Sequence, residues 1–180
     1  MELQERIERL ESRESIRTLV TDYSMAVDDR DVDTIGTLFA ENGVFGHADG
    51  SAVMHGRQEI VDFYNGRLGD MGPTYHYPHS HKITFTDANI AEGIVLAHAE
   101  LSQEGKTYYI GLRYYDKYRQ EEGNWVFAER LLKFLFFMPM EELVRDGLTQ
   151  ANRKRFPGQG ELPTDLPEMQ ESWINFLAKD

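Results

Sequence analysis

Strand patterns dominate one long continuous segment of the chain, from about His76 to Phe137. Apolar and polar residues alternate there over four stretches, which is the period of half-buried strands. Turn residues at 87–89 and at 104–105 separate the first three stretches, and residues 119–124 join the last two as a hairpin of long strands. A helical period precedes this segment. The sequence therefore predicts helices first and an antiparallel meander after them, which is an α+β fold.

Three helices are predicted ahead of the strands. The first covers residues 3–30, where apolar side chains recur every three or four positions, and its charged first two turns are expected to project from the core. The second covers residues 32–40 and is expected to stop at Asn42-Gly43, because both residue types tolerate the left-handed conformation of a helix end. The third follows Gly56 in the segment RQEIVDFYNGRL.

The segment after residue 140 has a different character. Prolines and glycines between residues 157 and 167 indicate irregular structure, and the final PEMQESWINFLAKD places Trp173 and Phe176 on one helical face. We therefore expect a domain over residues 1–140 and a C-terminal extension over residues 141–180 that packs on it or on a neighbouring subunit. The Trp173/Phe176 face is expected either to cover a cavity or to cross to a second copy.

Composition and charge restrict the partners. With 180 residues, 41% of them hydrophobic and 12% aromatic, the chain can bury a sizeable single core. The net charge of -12 argues against a nucleic-acid surface and favours an uncharged or cationic small molecule. No stretch has the length of a membrane span or the pattern of a signal peptide, so cytoplasmic location is expected. The absence of cysteine excludes disulfides and thiolate nucleophiles.

Acidic residues gather at the end of the first helix, in the segment DYSMAVDDRD. The helix dipole raises the pKa of a carboxyl group at this end, which would suit Asp28 to act as a general base. The alternative is a solvated helix end, the ordinary role of Asp28 and of its neighbours Asp29, Asp31 and Asp33. Tyr23 precedes Asp28 by five residues, about 140° around an ideal helix. The two share a pocket only if a cavity wraps the helix end, and Tyr23 is otherwise part of the core.

Histidines cluster where the strands begin, with His76, His79 and His81 in YHYPHSHKITF and His98 on the next strand. Metal binding, acid–base chemistry and a purely structural role are three interpretations of this cluster. His79 and His81 would share a strand face, as metal ligands can, but no Glu follows at cupin-like spacing and we predict no metal. Simple alternation places His76 on the opposite face unless Pro78 introduces a bulge.

Arg130 is predicted to lie on an apolar strand face, since alternation places it with Leu132 and Phe134. A buried arginine needs a partner. It could bind a substrate oxygen or a leaving anion, or pair with an acid such as Asp28. The alternative is an arginine at a strand edge in solvent.

The order of these segments resembles the SnoaL-like branch of the nuclear transport factor 2 superfamily. The likeness covers about residues 16–139 and rests on AVDDRDVDTIGTLFAENGVF, HGRQEIVDFY, HYPHSHKITF and YYDKYRQEEGNWVFAER. It implies a cone-shaped, cystatin-like α+β barrel, with helices packed on a curved and mostly antiparallel sheet. Within the superfamily the chain is similar to the group containing scytalone dehydratase, hexachlorocyclohexane dehydrochlorinase and bile acid 7α-dehydratase.

The resemblance implies a catalytic dyad, because this group uses an Asp at the end of the first helix and a His on the first long strand. These fall on Asp28 and His76. The active-site Arg of the dehydrochlorinase falls on Arg130 in W-x-F-x-x-R, and the Tyr of the bile acid enzyme falls on Tyr23. Because the dehydrochlorinase has Lys at the position of Tyr23, the resemblance favours loss of water over loss of halide. Ser80 replaces the Asn frequent four residues after the His.

The resemblance thus implies a cofactor-independent lyase of the dehydratase type, acting on a bulky alicyclic, polyketide-like or steroid-like molecule. We expect a homo-oligomer, either a dimer or a trimer, with a small hydrophobic substrate and no cofactor, metal, nucleic acid or membrane partner. Two other functions stay open. One is an isomerase or cyclase of the ketosteroid isomerase or SnoaL type in the same cavity. The other is a non-catalytic partner, either the β subunit of a ring-hydroxylating dioxygenase or a simple ligand-binding module.

Overall fold

Helices and strands follow the predicted order in the computed structural model, which describes residues 2–179. The helices ahead of the long strands are α1 Leu3–Asp28, α2 Val32–Leu38 and α3 Arg57–Gly69. The strands are β1 Phe39–His47, β2 Val53–His55, β3 Thr74–Phe85, β4 Ile90–Gln103, β5 Lys106–Glu121 and β6 Asn124–Pro139. The chain then forms α4 Met140–Asp146, the 3₁₀ turn Gly147–Thr149 and α5 Glu171–Leu177.

One curved sheet contains the six strands in the order β2-β1-β6-β5-β4-β3. The pair β1 and β6 is parallel and all the other neighbours are antiparallel. The sheet curves around α1 and the short helices, so the predicted α+β barrel with a mostly antiparallel sheet is confirmed. The strand β3 lies at one edge, where α1 packs against it.

The helix α1 joins the core only over its second half. Its buried residues begin at Ile16 and continue to Val27, whereas Leu3 and Leu10 are 69% and 65% exposed. The first turns thus project from the core, as the charge pattern predicts. Among the described residues, no helix combines the length and the apolar character that crossing a bilayer requires.

The predicted end of the second helix is wrong. The helix α2 ends at Leu38, and Phe39 already belongs to β1, where it pairs with Phe127 of β6 and is fully buried. Burial of a large aromatic side chain in the sheet outweighs continuation of a short helix. Gly43 lies instead where the register between β1 and β6 shifts, between Phe39 and Val44. The Asn42-Gly43 pair therefore marks an irregularity in a strand.

A bulge in β3 decides which histidines face inward. The register with β4 shifts between Pro78 and His81, which confirms that the alternation breaks near the proline. The side chains of His76 and His81 are both partly buried, while His79 is exposed and its Nε2 lies 2.6 Å from Nδ1 of His98. The metal interpretation requires His79 and His81 to share a strand face, and they do not.

The C-terminal extension packs on the end of β6 through buried basic residues. Lys154 forms backbone bridges with Phe137 and Leu162. Its Nζ lies 3.1 Å from a carboxylate oxygen of Asp49 and 2.9 Å from one of Asp165. These ion pairs fix the segment that follows against the mouth of the barrel.

The segment 156–162 of the extension, and not α5, covers the cavity of the barrel. Phe156, Pro157, Gln159 and Leu162 line the cavity, whereas Trp173 and Phe176 do not and are 41% and 71% exposed. The expectation that the Trp173/Phe176 face covers the cavity is therefore wrong, because that face points to solvent. Its contact with a second copy and the division into residues 1–140 and 141–180 stay predictions.

A buried ion pair lies at the centre of the core. Arg130 of β6 is paired in register with Asp116 of β5, with Nε 3.2 Å from Oδ1 and Nη2 3.2 Å from Oδ2, and both side chains are fully buried. The guanidinium also lies 4.0–4.3 Å from the ring centroids of Tyr23, Tyr114 and Phe127. The predicted burial of Arg130 is confirmed, but its partner is Asp116 and not Asp28.

We expect Arg130→Met to destabilise the fold by roughly 3–5 kcal/mol, because it leaves the Asp116 carboxylate buried without its counter-ion. Chemical unfolding of wild type and variant measures this difference. The double variant Arg130→Met/Asp116→Leu should recover much of the loss, since no charge then remains unpaired. The matched control is Lys117→Gln, which removes an exposed ion pair with Glu129 and should change stability by less than about 1 kcal/mol. An equal effect of Arg130→Met and Lys117→Gln would contradict the importance of the buried pair.

Candidate active site

A cavity of about 420 Å³ lies between α1, α3 and the concave face of the sheet. Its wall is largely apolar, with aromatic side chains from β1, α3 and β6. The polar side chains that reach it include Tyr23 of α1, Tyr64 of α3 and His76 of β3. A concave apolar site with a few polar groups is typical of small-molecule binding.

The structure brings Asp28 and His76 into direct contact at one wall of this cavity. Nδ1 of His76 lies 2.6 Å from Oδ1 of Asp28, and the backbone N–H of His76 donates to Oδ2 at 2.8 Å. Because an ionised carboxylate only accepts, Nδ1 is the donor in this contact, and in the neutral imidazole the lone pair is then on Nε2. Nε2 is therefore the nitrogen that can take a proton from a molecule in the cavity.

Local backbone geometry places Asp28 at this point. Asp28 is the last residue of α1, and Arg30 follows with a φ of 63°, which turns the chain sharply towards α2. The side chain of Asp31 then caps α2 by accepting from the backbone N–H of Thr34 at 3.0 Å. Asp28 therefore contacts β3, whereas Asp31 caps α2. Of the two, only Asp31 has the ordinary structural role of an aspartate at a helix end.

Thr74 and Arg30 support the carboxylate of Asp28. Oγ1 of Thr74 donates to Oδ1 of Asp28 at 3.0 Å, and Nη1 of Arg30 donates to the same Thr74 oxygen at 2.7 Å. Nη2 of Arg30 also binds the carbonyl of Gly72. The loop ahead of β3 is thus attached to the end of α1, and the orientation of His76 depends on both.

The pKa of Asp28 is lower than its usual value, whereas the helix dipole alone predicted a raised one. Burial raises this pKa, but it is lowered by more through hydrogen bonds from His76 and Thr74 and through the charge of His76 when its ring is protonated. The expectation of a raised pKa was therefore wrong, since the hydrogen-bond donors on β3 outweigh the effect of burial. Asp28 is held as a carboxylate, which suits an orienting partner of His76 better than a base of its own.

Tyr23 reaches the same cavity from α1, so the cavity does wrap the end of this helix. Its hydroxyl forms a hydrogen bond with the hydroxyl of Tyr64. Burial raises the pKa of Tyr23, and Arg130 acts in the opposite direction. Burial also holds the pKa of Tyr64 well above its ordinary value. Both phenols are thus protonated near neutral pH and can donate hydrogen bonds.

Arg130 does not line the cavity. It is completely buried, Asp116 accepts from its guanidinium, and the rings of the cavity-lining Tyr23 and Tyr114 lie 4.3 and 4.0 Å from that group. The idea that Arg130 touches a substrate oxygen is not supported by this position. Its positive charge instead acts on the ring of Tyr23.

The other histidines of the cluster lie outside the cavity. His81 accompanies the buried ion pair through Tyr118, whose hydroxyl lies 3.0 Å from Nε2 of His81 and donates to Asp116 at 2.6 Å. Burial and the charge of Arg130 lower the pKa of His81 to about 4, so it is neutral at physiological pH. Within residues 2–179, no group of three or more histidine, aspartate or glutamate side chains is arranged to hold a metal ion.

Sequence reasoning missed several residues of this site. Thr74, Arg30 and Tyr64 each bind a member of the predicted set, and Arg67 lines the cavity. Only the position of Arg30 could have been noticed in the sequence, because it lies at the predicted helix end, where the chain often takes a left-handed turn. The contacts of Thr74 and Tyr64 depend on pairing between distant segments, which periodicity does not report.

Comparison with known proteins places this architecture in a family. A curated relative, gamma-hexachlorocyclohexane dehydrochlorinase of Sphingobium indicum, is 26% identical over 137 residues, which is 74% of this chain and 87% of that protein. A solved structure provisionally assigned as a scytalone dehydratase, from Novosphingobium aromaticivorans, has a TM-score of 0.69 at 18% identity, covering 86% and 98% of the two chains.

A second structure from Novosphingobium aromaticivorans, an NTF2-like protein with a cystatin-like fold, has a TM-score of 0.61 at 20% identity, covering 82% of this chain and 95% of that one. Both structural likenesses show the fold alone. The profile of the SnoaL-like domain matches residues 8–131, which is most of the chain. The chain therefore belongs to the SnoaL-like domain family.

Proposed function

We propose that the chain is a cofactor-independent lyase of the dehydratase type, which eliminates water from a bulky alicyclic, polyketide-like or steroid-like molecule. The observation that carries the proposal is the 2.6 Å contact between His76 Nδ1 and Asp28 in the wall of an apolar cavity. The 26% identity to a dehydrochlorinase, which by its name is also an eliminating enzyme, supports a lyase role.

His76 is the proposed general base. With Asp28 bound at Nδ1, the Nε2 atom removes a proton from a carbon that an adjacent carbonyl group activates. Asp28 then stabilises the imidazolium ion, since a carboxylate already stands at hydrogen-bond distance. Thr74 and Arg30 keep that carboxylate in place, so the dyad does not need to reorganise during the step.

Tyr23 is the proposed donor to the leaving group. A departing hydroxide needs a proton, which the Tyr23 phenol supplies to form water while Tyr64 hydrogen-bonds the phenolate that remains. The proton that His76 removed from carbon returns to this phenolate at the end of the cycle. Arg130, at 4.3 Å from the centre of the Tyr23 ring, stabilises negative charge that develops on this phenol. Arg130 therefore acts as a positioning residue through Tyr23. A departing chloride needs no proton, so this arrangement favours dehydration over dehydrochlorination.

The cavity supports an apolar substrate of substantial size. Its volume of about 420 Å³ lies in the range of small-molecule sites, and Phe45, Phe63 and Phe134 contribute aromatic surface to the wall. Such a wall removes water from the reacting groups and strengthens the hydrogen bonds of the dyad. We also propose that the protein works in the cytoplasm as a homodimer or homotrimer.

We expect His76→Ala and Asp28→Asn each to lower kcat by about 10²–10⁴-fold on a hydroxylated cyclic ketone that the wild type dehydrates, because the base or its orienting partner is lost. Mass spectrometry of the product measures loss of one water. The matched control is His55→Ala, an exposed histidine of β2 outside the cavity, which should keep wild-type turnover. Intact turnover in His76→Ala would show that the dyad assignment is wrong.

We expect Tyr23→Phe to lower kcat about a hundredfold for a hydroxyl leaving group and much less for the corresponding chloride, because only hydroxide requires a proton on departure. Single-turnover rates with the two substrates measure the difference. Tyr75→Phe, on an exposed tyrosine of β3, serves as the control and should leave both rates unchanged. Equal losses for both leaving groups would exclude Tyr23 as the proton donor.

A further inference from the structure

Arg67 is a positively charged residue in the cavity wall whose charge no neighbour neutralises directly. It lies in the last turn of α3, is half-buried, and lines the same cavity as His76. Among residues 2–179, no acceptor lies within hydrogen-bond or salt-bridge distance of its guanidinium; burial lowers its pKa and the exposed Asp70 at the helix end raises it only through space. A guanidinium has five N–H donors, and here they are left for water or a ligand.

The charged groups near Arg67 are already engaged with one another. Asp49 also lines the cavity, but it accepts from Nζ of Lys154 at 3.1 Å and from the backbone N–H of Ser51 at 2.9 Å. Nδ1 of His47 lies 3.0 Å from Oγ of Ser51. Asp49 thus accepts from other donors, and Arg67 is left as a cavity-lining cation with no hydrogen-bonded or ion-paired partner among residues 2–179.

The surroundings of Arg67 are partly apolar. The ring of His47 stacks on Phe156 at 5.4 Å with an interplanar angle of 13°. Burial lowers the pKa of His47, and the charges of Lys154 and Arg67 act in the same direction against the carboxylates of Asp49 and Asp165. His47 is therefore neutral near pH 7 and does not compete with Arg67 for an anion. Apolar walls strengthen the attraction between a guanidinium and a carboxylate, which bind each other through two parallel hydrogen bonds.

We propose that Arg67 forms a binding subsite for a carboxylate group, so that the substrate is an apolar cyclic molecule carrying an acid group. This deepens the proposed function and rests on it only in taking the cavity as the substrate site. The net charge of -12 favours uncharged or cationic ligands at the surface. Inside the cavity, the charge of Arg67 determines which ligand charge is preferred, because surface charges more than about 8–10 Å away are screened by salt.

Calorimetric titration with decalin-2-carboxylate and with its uncharged amide, decalin-2-carboxamide, tests the subsite directly. We expect wild type to bind the carboxylate roughly tenfold or more tightly than the amide, as a charge-assisted pair predicts. Arg67→Gln should lose this preference while its affinity for the amide stays within about twofold. Arg67→Lys should retain part of the preference, because it keeps the charge without the paired donors.

Arg113→Gln is the matched control, since Arg113 lies on β5 outside the cavity and likewise has no hydrogen bond or ion pair among the described residues. It should keep the full preference for the carboxylate. Thermal unfolding of every variant verifies that it is folded before titration. Equal binding of both probes to wild type, no binding of the carboxylate at millimolar concentration, or a preference that persists in Arg67→Gln would each overturn the subsite.

Binding needs no turnover, so the subsite and the lyase proposal can fail separately. A protein that prefers the carboxylate but dehydrates no substrate would retain the subsite and contradict the lyase. A protein that dehydrates a neutral substrate with no preference for the acid would retain the lyase and contradict the subsite.

Discussion

The carboxylate of Asp28 ties the end of α1 to the edge strand β3, and the geometry of the site depends on this attachment. It accepts three hydrogen bonds, from the ring and the backbone of His76 and from the hydroxyl of Thr74. One of these occupies a backbone donor that the edge strand would otherwise present to solvent. The same interaction orients His76 and selects its tautomer. Structure and proposed chemistry therefore rest on one side chain.

The buried pair of Arg130 and Asp116 plays a second structural part, deeper in the barrel. It joins β5 to β6 and its guanidinium lies against the ring of Tyr23, a residue that also lines the cavity. A charge of this kind is costly to bury and is tolerated because both partners are present. The pair thus links the packing of the sheet to the electrostatics of the cavity wall.

Sequence alone was sufficient for the features that repeat along the chain. Helical periodicity located α1 and α3, and strand alternation located the long meander and the burial of Arg130. Sequence reasoning failed where contact with a distant segment determines the local structure. At Phe39, pairing with Phe127 forms a strand where a helix end was predicted. The choice of His76 among three histidines needed the family resemblance, because the position of the bulge after Pro78 could be suspected but not fixed. Asp116, Thr74 and Arg67 carried no local signal of their roles.

The wall of the cavity has two origins along the chain. The family match covers residues 8–131, which contain Asp28, His76 and Tyr23, whereas Phe156 to Leu162 belong to the extension beyond it. Part of the cavity wall is therefore encoded outside the stretch that carries the proposed dyad. Substitutions at Phe156, Gln159 or Leu162 would change that part of the wall while leaving Asp28, His76 and Tyr23 in place, so these positions offer a route to altered selectivity.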